Sequence, residues 1–327
     1  MVKNTFSLIV LFIFIISGCQ TVHQGTGSSK ESNRVYPNST NNNVPSDAKS
    51  VTSSNQQTGL NNSGQPSSLE FNPLETPIQP NQSNLVVPNV RKSVPKFGVI
   101  LSGGGAKTWA HLSVLKEMQK YRFPIVSIAG IEWGSVVAAS YAHQASVSEA
   151  EWELAKFKDI DSWFDFVKAA FAKKSTMEFK IPFVCPSMNI KNKTIYLLNR
   201  GQVDQFIPYC LPSAGIIKPY GNSVAHLSDL NLVVQHLKAT GVQKIILINV
   251  LGGRDESALI KGIDSPENQL WAEHVAAMKK NVAYDDLIEI ELNDYSIEDF
   301  DKRKDVMVKA SELSYNLVKK LAEKYKL

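Results

Sequence analysis

The distribution of hydrophobic and polar positions divides the chain into two unequal parts. Between about residue 20 and residue 84, Ser, Asn, Gln, Thr, Gly and Pro dominate, and aromatic or branched apolar side chains are scarce. Such a segment cannot bury enough apolar surface to offset the entropy that is lost when the chain is ordered. We therefore predict a disordered tether over residues 19–95 and a folded domain over residues 96–327.

In the predicted domain, short apolar runs alternate with segments of helical periodicity. The runs typical of buried strands are residues 97–102, 125–129, 245–250 and 287–292, and the helical segments are residues 107–120, 135–143, 232–238 and 307–324. Strands that alternate with helices are typical of a parallel sheet covered on both faces. We therefore predict the α/β fold class, as a three-layer α/β/α domain with a mostly parallel central sheet.

An aromatic-rich stretch over residues 146–171 has two interpretations. Its aromatic residues are Trp152, Phe157, Trp163, Phe164, Phe166 and Phe171. They could form a lid or a lipid-facing surface, or they could belong to a helical layer packed on the sheet. We favour the packed layer, because aromatic residues at helical spacing usually belong to a core.

The first residues resemble the secretion signal of a bacterial lipoprotein. Lys3 precedes an apolar run over residues 6–16, which is too short to span a hydrocarbon core and is typical of a signal peptide. The tetrad Ile-Ser-Gly-Cys at residues 16–19 resembles a lipobox, which predicts a signal peptide over residues 1–18 and a lipid anchor on Cys19. An ordinary secretory signal is the alternative. Gln20 stands where an aspartate retains many lipoproteins in the inner membrane, so the resemblance favours the outer membrane.

Composition and charge exclude several function classes. The net charge of +4 over 327 residues is mild and forms no basic stripe, so no nucleic-acid partner is predicted. No group of Cys, His and carboxylate residues has zinc-ligand spacing, and no cofactor is predicted. Cys185 and Cys210 could pair in an oxidising compartment or remain free and buried, and the sequence leaves both open.

A glycine cluster joins the first predicted strand to the helix that follows. Gly103, Gly104 and Gly105 precede Lys107, and backbone N–H groups at such a helix N-terminus favour an anion or a developing oxyanion. A phosphate-binding P-loop would need glycine at positions 106 and 101, which are occupied by Ala and Leu. The dinucleotide-binding pattern fails at Thr108. We therefore predict an oxyanion-type loop made by the three glycines and Lys107.

A second sharp turn follows the second predicted strand. Gly130 and Gly134 enclose the pattern Gly-x-Glu-x-Gly, which has the outline of the Gly-x-Ser-x-Gly nucleophile elbow. The central side chain that the elbow would present is Glu132 instead of serine.

These motifs resemble the patatin-like phospholipases. The resemblance covers about residues 97–321 and is carried by the glycine loop with residues 110–115, by the elbow, by residues 212–219 and by residues 231–234. It implies the patatin-like fold and an ester hydrolase with a Ser–Asp dyad. Aligned on residues 231–234, the nucleophile position is Glu132 and the acid position is Ala225. Thr108 replaces the usual last glycine of the loop, so we expect the local backbone there to differ from that of the family.

The two replacements predict little ester hydrolysis. Removal of a serine nucleophile typically costs about 10⁶ in kcat. A carboxylate beside a helix N-terminus should have a lowered pKa, and we expect Glu132 to occupy the anion site itself. A pKa above about 6 would count against that hypothesis, because it would make the group a better base near neutral pH. A serine and an acid within hydrogen-bonding reach beside the glycine loop would overturn the inert interpretation.

Other polar residues near the motifs are weaker candidates. Asp229 lies four positions after Ala225 and could reach the cleft. Ser102 and Ser135 flank the two loops, and we expect turn or helix-start roles for both. His111 and His226 are isolated, so we expect helix packing for the first and exposure in a loop for the second.

Three functions remain open at this point. We favour a membrane-anchored lipoprotein whose patatin-like domain is catalytically inactive and binds a lipid or a protein in the old cleft. The first alternative is an active acyl hydrolase that uses non-standard residues. The second alternative is a structural envelope lipoprotein. The predicted partners are the membrane, through the N-terminal anchor, and a lipid or protein ligand; the oligomeric state is left open.

Overall fold

The computed structural model describes residues 94–228, 230–251, 265–280 and 283–327, without the side chain of Lys279. The predicted signal peptide, the tether up to residue 93 and Cys19 lie outside the described residues. None of the helices in the described ranges is long and apolar enough to cross a membrane.

Seven strands and eight α-helices make up the described domain. The strands are β1 Phe97–Leu101, β2 Ile125–Gly130, β3 Phe183–Asn189, β4 Ile195–Leu198, β5 Ser223–Ala225, β6 Lys244–Asn249 and β7 Asp286–Glu289. The helices are α1 Ala110–Lys120, α2 Gly134–Gln144, α3 Val147–Leu154, α4 Trp163–Ala170, α5 Val203–Phe206, α6 Asn231–Ala239, α7 Pro266–Lys280 and α8 Arg303–Tyr325.

The strands form one sheet in the order β4-β3-β2-β1-β6-β7, and β5 pairs with β3. The central pairs β1–β2, β1–β6, β2–β3 and β6–β7 are parallel, whereas β4 and β5 run antiparallel to β3. Side chains alternate across the sheet: Val99 and Leu101 enter the core shared with α1, α2 and α8, and Ile100 enters the core shared with α6 and α7. The predicted fold class, a mostly parallel sheet between two helical layers, is confirmed.

The structure differs from the predicted elements in several places. A 3₁₀ helix, Gly105–Trp109, precedes α1, so the predicted helix over residues 107–120 begins as a tighter turn. The strands β3, β4 and β5 were not predicted, since β3 is interrupted by Pro186 and the other two are short. The helix α7 was also missed, although Trp271, Val275 and Met278 are buried at helical spacing. Strand β7 is shorter than predicted.

The aromatic-rich stretch is mostly core, as favoured from the sequence. Phe157, Phe166 and Phe171 are buried, and the ring of Phe157 contacts the rings of Trp109 and Trp133 under the glycine loop and the elbow. Trp152, in contrast, is an exposed side chain on α3. The buried rings therefore support the two loops from below.

Cys185 and Cys210 form a disulfide, which resolves the alternative left open by the sequence. Both residues are buried, and the bridge joins β3 to the segment that leads into residues 212–219. A nearby hydrogen bond from the Ser187 hydroxyl to the Tyr209 carbonyl, at 2.6 Å, holds the same segment against β3. The path of residues 210–213 is therefore set by a covalent and a polar contact with the sheet.

Candidate functional site

The elbow is formed where β2 ends and α2 begins. Glu132 lies at its tip with a φ of 52°, a left-handed conformation that is strained for a residue with a side chain. The elbow is also tightly packed: a Cβ on Gly130 would lie 2.3 Å from the Cα of Ser135, and a Cβ on Gly134 would lie 2.5 Å from the Ser102 carbonyl oxygen. Only glycine fits these two positions. They allow a turn tight enough for the Glu132 side chain to reach the glycine loop.

The carboxyl group of Glu132 accepts hydrogen bonds from backbone N–H groups of that loop. Its Oε2 accepts hydrogen bonds from the backbone N–H groups of Gly104 at 3.0 Å and Gly105 at 2.9 Å. Its Oε1 accepts a hydrogen bond from the Ser213 hydroxyl at 3.0 Å. The side chain is fully buried. Gly103 packs against the same side chain, since a Cβ there would lie 3.0 Å from the Glu132 Cβ.

Burial raises the pKa of Glu132 from 4.5 to about 7. Loss of water around the carboxylate is the largest cause, and the backbone N–H groups of Gly104, Gly105 and Trp133 and the Ser213 hydroxyl lower the pKa only in part. The predicted lowering was therefore wrong, because the sequence reveals the donors but not the depth of burial. A pKa of about 7 counts against the hypothesis that an ionised Glu132 occupies the anion site, although the carboxyl group does hold the N–H groups of the loop. The neutral acid nevertheless keeps a carbonyl oxygen that accepts the same N–H groups.

Lys107 lies in the same loop region but has a different partner. Its side chain is almost fully buried on the 3₁₀ helix, and its backbone N–H donates to the Gly104 carbonyl at 3.0 Å. Burial lowers the pKa of the ammonium group to about 8, and the charge of Asp299 partly opposes this shift. Asp299, a buried carboxylate that sequence reasoning did not single out, thus interacts electrostatically with Lys107 and also lies 3.5 Å from the Lys302 ammonium group.

Ala225 lies at the end of β5, beside the segment that carries Ser213. Its backbone N–H donates to the Pro212 carbonyl at 2.7 Å, so the aligned acid position and Ser213 are held next to each other. A methyl group there can neither accept a proton nor orient one. The hydroxyl of Ser213, which sequence reasoning passed over within residues 212–219, is the polar group that reaches Glu132 from this side.

The weaker sequence candidates have structural contacts. The Ser135 hydroxyl donates to the Gly130 carbonyl at 2.8 Å, and the Ser102 hydroxyl accepts from the Val250 N–H at 3.2 Å. His111 is buried against the Ser102 carbonyl, and burial lowers its pKa to about 4, so the ring is neutral. His226 is buried, so the expected loop exposure was wrong; it lines the same cavity as His274 of α7 and lies close enough to affect the pKa of that ring. Asp229 lies outside the described residues.

A cavity of about 930 Å³ opens next to this site. Ser213 and Ala225 line it, so it adjoins the Glu132 carboxyl group through Ser213. The other walls come from residues 214–219, residues 226–228, Met188 and the α7 residues Leu270, Glu273, His274 and Ala277. Its lining is mainly apolar, with a few polar groups, which is the usual character of a small-molecule site. No metal-binding cluster of His, Cys, Asp and Glu occurs within the described ranges.

Comparisons with known proteins identify the domain. Residues 99–226 match the family model described as patatin-like phospholipase. The chain is 24% identical over 188 residues to lysophospholipase NTE1 of Cryptococcus neoformans, which covers 50% of this chain and 12% of that protein. It is 28% identical over 178 residues to lysophospholipase NTE1 of Candida albicans, which covers 47% of this chain and 13% of that protein. The chain thus matches only a small part of these relatives' length.

A solved structure, that of VipD from Legionella pneumophila, aligns with 70% of this chain and 67% of its own at a TM-score of 0.39 and 9% identity.

The glycine loop, the elbow and residues 212–226 all lie within or at the end of the range that the family model matches. The chain therefore carries a patatin-like phospholipase domain over residues 99–226.

Proposed function

We propose that the protein is a lipid-anchored protein of the bacterial envelope whose patatin-like domain binds an acyl lipid and does not cleave it at the elbow. The observation that carries the proposal is the position of Glu132. Its Oε2 accepts hydrogen bonds from the backbone N–H groups of Gly104 and Gly105, at 3.0 and 2.9 Å. These N–H groups are the donors that the oxyanion of a reacting ester would require.

The chemistry available to Glu132 at this position is poor. A carboxylate that attacked an ester would form an anhydride, from which the alkoxide would usually return. Loss of the serine nucleophile lowers kcat by about 10⁶-fold. The remaining hydrogen-bond donors retain a rate enhancement of about 10³–10⁴ over the reaction in water. Even that remainder needs free N–H groups, and here the protein's own carboxyl group holds them. Ala225 adds no proton acceptor at the aligned acid position.

A lipid is the ligand that suits the cavity beside the site. Met188, Ile217, Leu227 and Leu270 give it apolar walls. Its volume of about 930 Å³ lies at the upper end of the range for small-molecule sites, which is roughly 300–1,000 Å³. The lysophospholipases that the chain resembles also act on acyl lipids, as their names state.

The envelope location is supported by two observations. The N-terminal sequence ends its apolar run with Ser17, Gly18 and Cys19, as a lipobox does. The Cys185–Cys210 disulfide fits an oxidising compartment, where such bonds persist. Labelling of cells with palmitate tests the anchor: we expect incorporation in the wild type and none in Cys19→Ala. Labelling that persists in this variant would refute lipidation at Cys19.

Restoration of the dyad tests the loss of elbow chemistry. We expect the purified wild type to release no nitrophenol from nitrophenyl esters above the background rate. The double variant Glu132→Ser with Ala225→Asp should gain hydrolysis, because it frees the glycine N–H groups and supplies a hydroxyl and a carboxylate. Glu132→Ser alone is the matched control. Strong hydrolysis by the wild type that Glu132→Ala abolishes would overturn the proposal.

A second candidate function is an acyl hydrolase that uses Ser213, and the Ser213–Glu132 contact favours it. This pair is a serine and an acid within hydrogen-bonding reach beside the glycine loop, which by the criterion given above overturns the interpretation of a fully inert domain; what we propose is the loss of cleavage at the elbow. In such a reaction the Ser213 oxygen would attack the ester carbonyl carbon, and its proton would pass to Glu132 and then to the leaving alcohol. Water would hydrolyse the acyl–Ser213 bond and restore the hydroxyl.

The same contact also weakens this candidate. While Glu132 is in position to accept the Ser213 proton, its other oxygen still accepts the glycine N–H groups, which are then not available to an ester oxyanion. A fluorophosphonate probe separates the two functions. The first proposal predicts no labelled serine in the wild type. Labelling of Ser213 that is lost in Ser213→Ala and reduced in Glu132→Gln would establish the second function and exclude the first.

A further inference from the structure

In the part of the chain that the structure describes, the cavity is lined by a buried polar side chain, that of His274, whose hydrogen bonding is incomplete. His274 lies on α7, lines the cavity and is 3% exposed. Among the described residues, neither of its ring nitrogens makes a hydrogen bond of full geometry. The backbone of Leu227 approaches the ring, and Trp271 packs against it with ring centroids 5.8 Å apart. A buried polar group left in this state costs free energy unless a ligand completes it.

The ring of His274 is neutral. Burial lowers its pKa to about 3, and the neighbouring His226 contributes in the same direction, while the Leu227 backbone opposes the shift. A neutral imidazole has one N–H group and one bare nitrogen. With the N–H directed at the Leu227 carbonyl, the bare nitrogen remains as a hydrogen-bond acceptor, so a ligand that completes it must bring a donor.

The remaining charges around the cavity do not favour an anion. Of the described lining residues, Lys218 and Glu273 carry charged side chains of opposite sign. Both are exposed, so water screens them. Among the described lining residues there is no buried Lys or Arg that could balance a carboxylate or phosphate placed near His274, and a buried unpaired charge is strongly unfavourable.

We infer that the cavity selects a neutral acyl lipid that carries a hydroxyl group, the chemistry of a monoacylglycerol, over an ionised fatty acid. The hydroxyl donates to His274, and the acyl chain lies on the apolar walls formed by Met188, Ile217, Leu227 and Leu270. The inference rests on the proposed lipid-binding function and names the ligand class of the same site.

Three probes with the same acyl chain test it: 1-monolauroylglycerol, laurate at pH 8 and methyl laurate, each below its micelle-forming concentration. Calorimetry on the purified protein measures their dissociation constants. We expect 1-monolauroylglycerol to bind about tenfold or more tightly than either of the others, since one hydrogen bond to a buried acceptor is worth about that factor. Methyl laurate separates the donor from the charge, because it is neutral and lacks a hydroxyl.

Variants of His274 connect this preference to the residue. His274→Leu should lose the preference for 1-monolauroylglycerol, and His274→Asn, whose amide oxygen can accept, should retain most of it. His236→Leu is the matched control, because His236 lies on α6 and does not line the cavity. Thermal unfolding of each variant verifies that it is folded.

The outcomes distinguish this inference from the proposed function. If the three probes bind with equal affinity, or if His274→Leu keeps the wild-type preference, the inference is wrong and lipid binding stands. If none of the lauroyl probes binds to the folded wild type, the lipid-binding function itself fails.

Discussion

The Ser213 hydroxyl donates a hydrogen bond of 3.0 Å to the Glu132 carboxyl group, although the two residues are 81 positions apart in the chain. The contact joins the elbow, the glycine loop and the cavity into one site. It also explains how a carboxyl group can be tolerated at the elbow: one oxygen is satisfied by backbone N–H groups and the other by a hydroxyl. The predictions below follow from this arrangement.

The first prediction concerns the pH dependence of stability. The pKa of Glu132 is raised from 4.5 to about 7 in the folded protein, so the folded state binds this proton more tightly than the unfolded chain does. The contribution of Glu132 to stability is therefore full below about pH 4.5 and is lost as the pH rises towards 7. At roughly 1.4 kcal/mol per unit, the loss is on the order of 3 kcal/mol.

Glu132→Gln has nearly the same shape and does not titrate, so it should lack this decline. Urea unfolding of both proteins between pH 4 and 8 measures the difference in the free energy of unfolding. Parallel curves for the two proteins would show that Glu132 does not titrate in this range.

The second prediction concerns the Ser213 hydroxyl. Ser213→Ala removes a donor that lowers the Glu132 pKa, so the pKa should rise further, and the protein should lose about 1 kcal/mol of stability. Carbon-13 NMR of the Glu132 carboxyl group measures the pKa. Ser140→Ala is the matched control, since the Ser140 hydroxyl on α2 is buried without a hydrogen-bond partner in the described chain. An unchanged Glu132 pKa in Ser213→Ala would contradict the contact.

The third prediction concerns the close packing of the elbow. Gly130→Ala should destabilise the protein severely or prevent folding, because its methyl group would lie 2.3 to 2.5 Å from backbone atoms of Gly134 and Ser135. Gly98→Ala is the control, since its methyl group would meet the Val242 side chain at 2.9 Å, and a side chain can move more easily than backbone. Thermal unfolding should show a larger loss for Gly130→Ala; an equal or smaller loss would argue against the tight elbow.

The fourth prediction concerns the disulfide. Replacement of Cys185 and Cys210 by Ala should cost about 2–5 kcal/mol in the free energy of unfolding. The same change should weaken binding in the cavity, because the bridge sets the path of the chain towards Pro212 and Ser213. Thiol titration of the unfolded wild type without reductant should find both cysteines oxidised. Two free thiols in protein purified from the envelope would contradict the bridge.

Local patterns were sufficient to predict much of the fold. The strands β1, β2 and β6 and the helices α2, α6 and α8 have strong apolar periodicity, and the structure places each near its predicted range. The missed elements have weak local signals, as in β3 with its internal proline, or were decided by pairing with distant strands, as in β5. Burial of His226 could not be inferred, because α7, which lines the same cavity, had not been recognised.

The sequence by itself determined the glycine loop, the elbow and the presence of a carboxyl group where an ester hydrolase has a hydroxyl, because each is a short pattern whose backbone geometry is local. Only the tertiary structure decided that Glu132 is fully buried with a raised pKa, that Ser213 is its partner and that His274 faces the adjoining cavity. These properties depend on which surfaces exclude water and on contacts between residues far apart in the chain, and no local pattern encodes either.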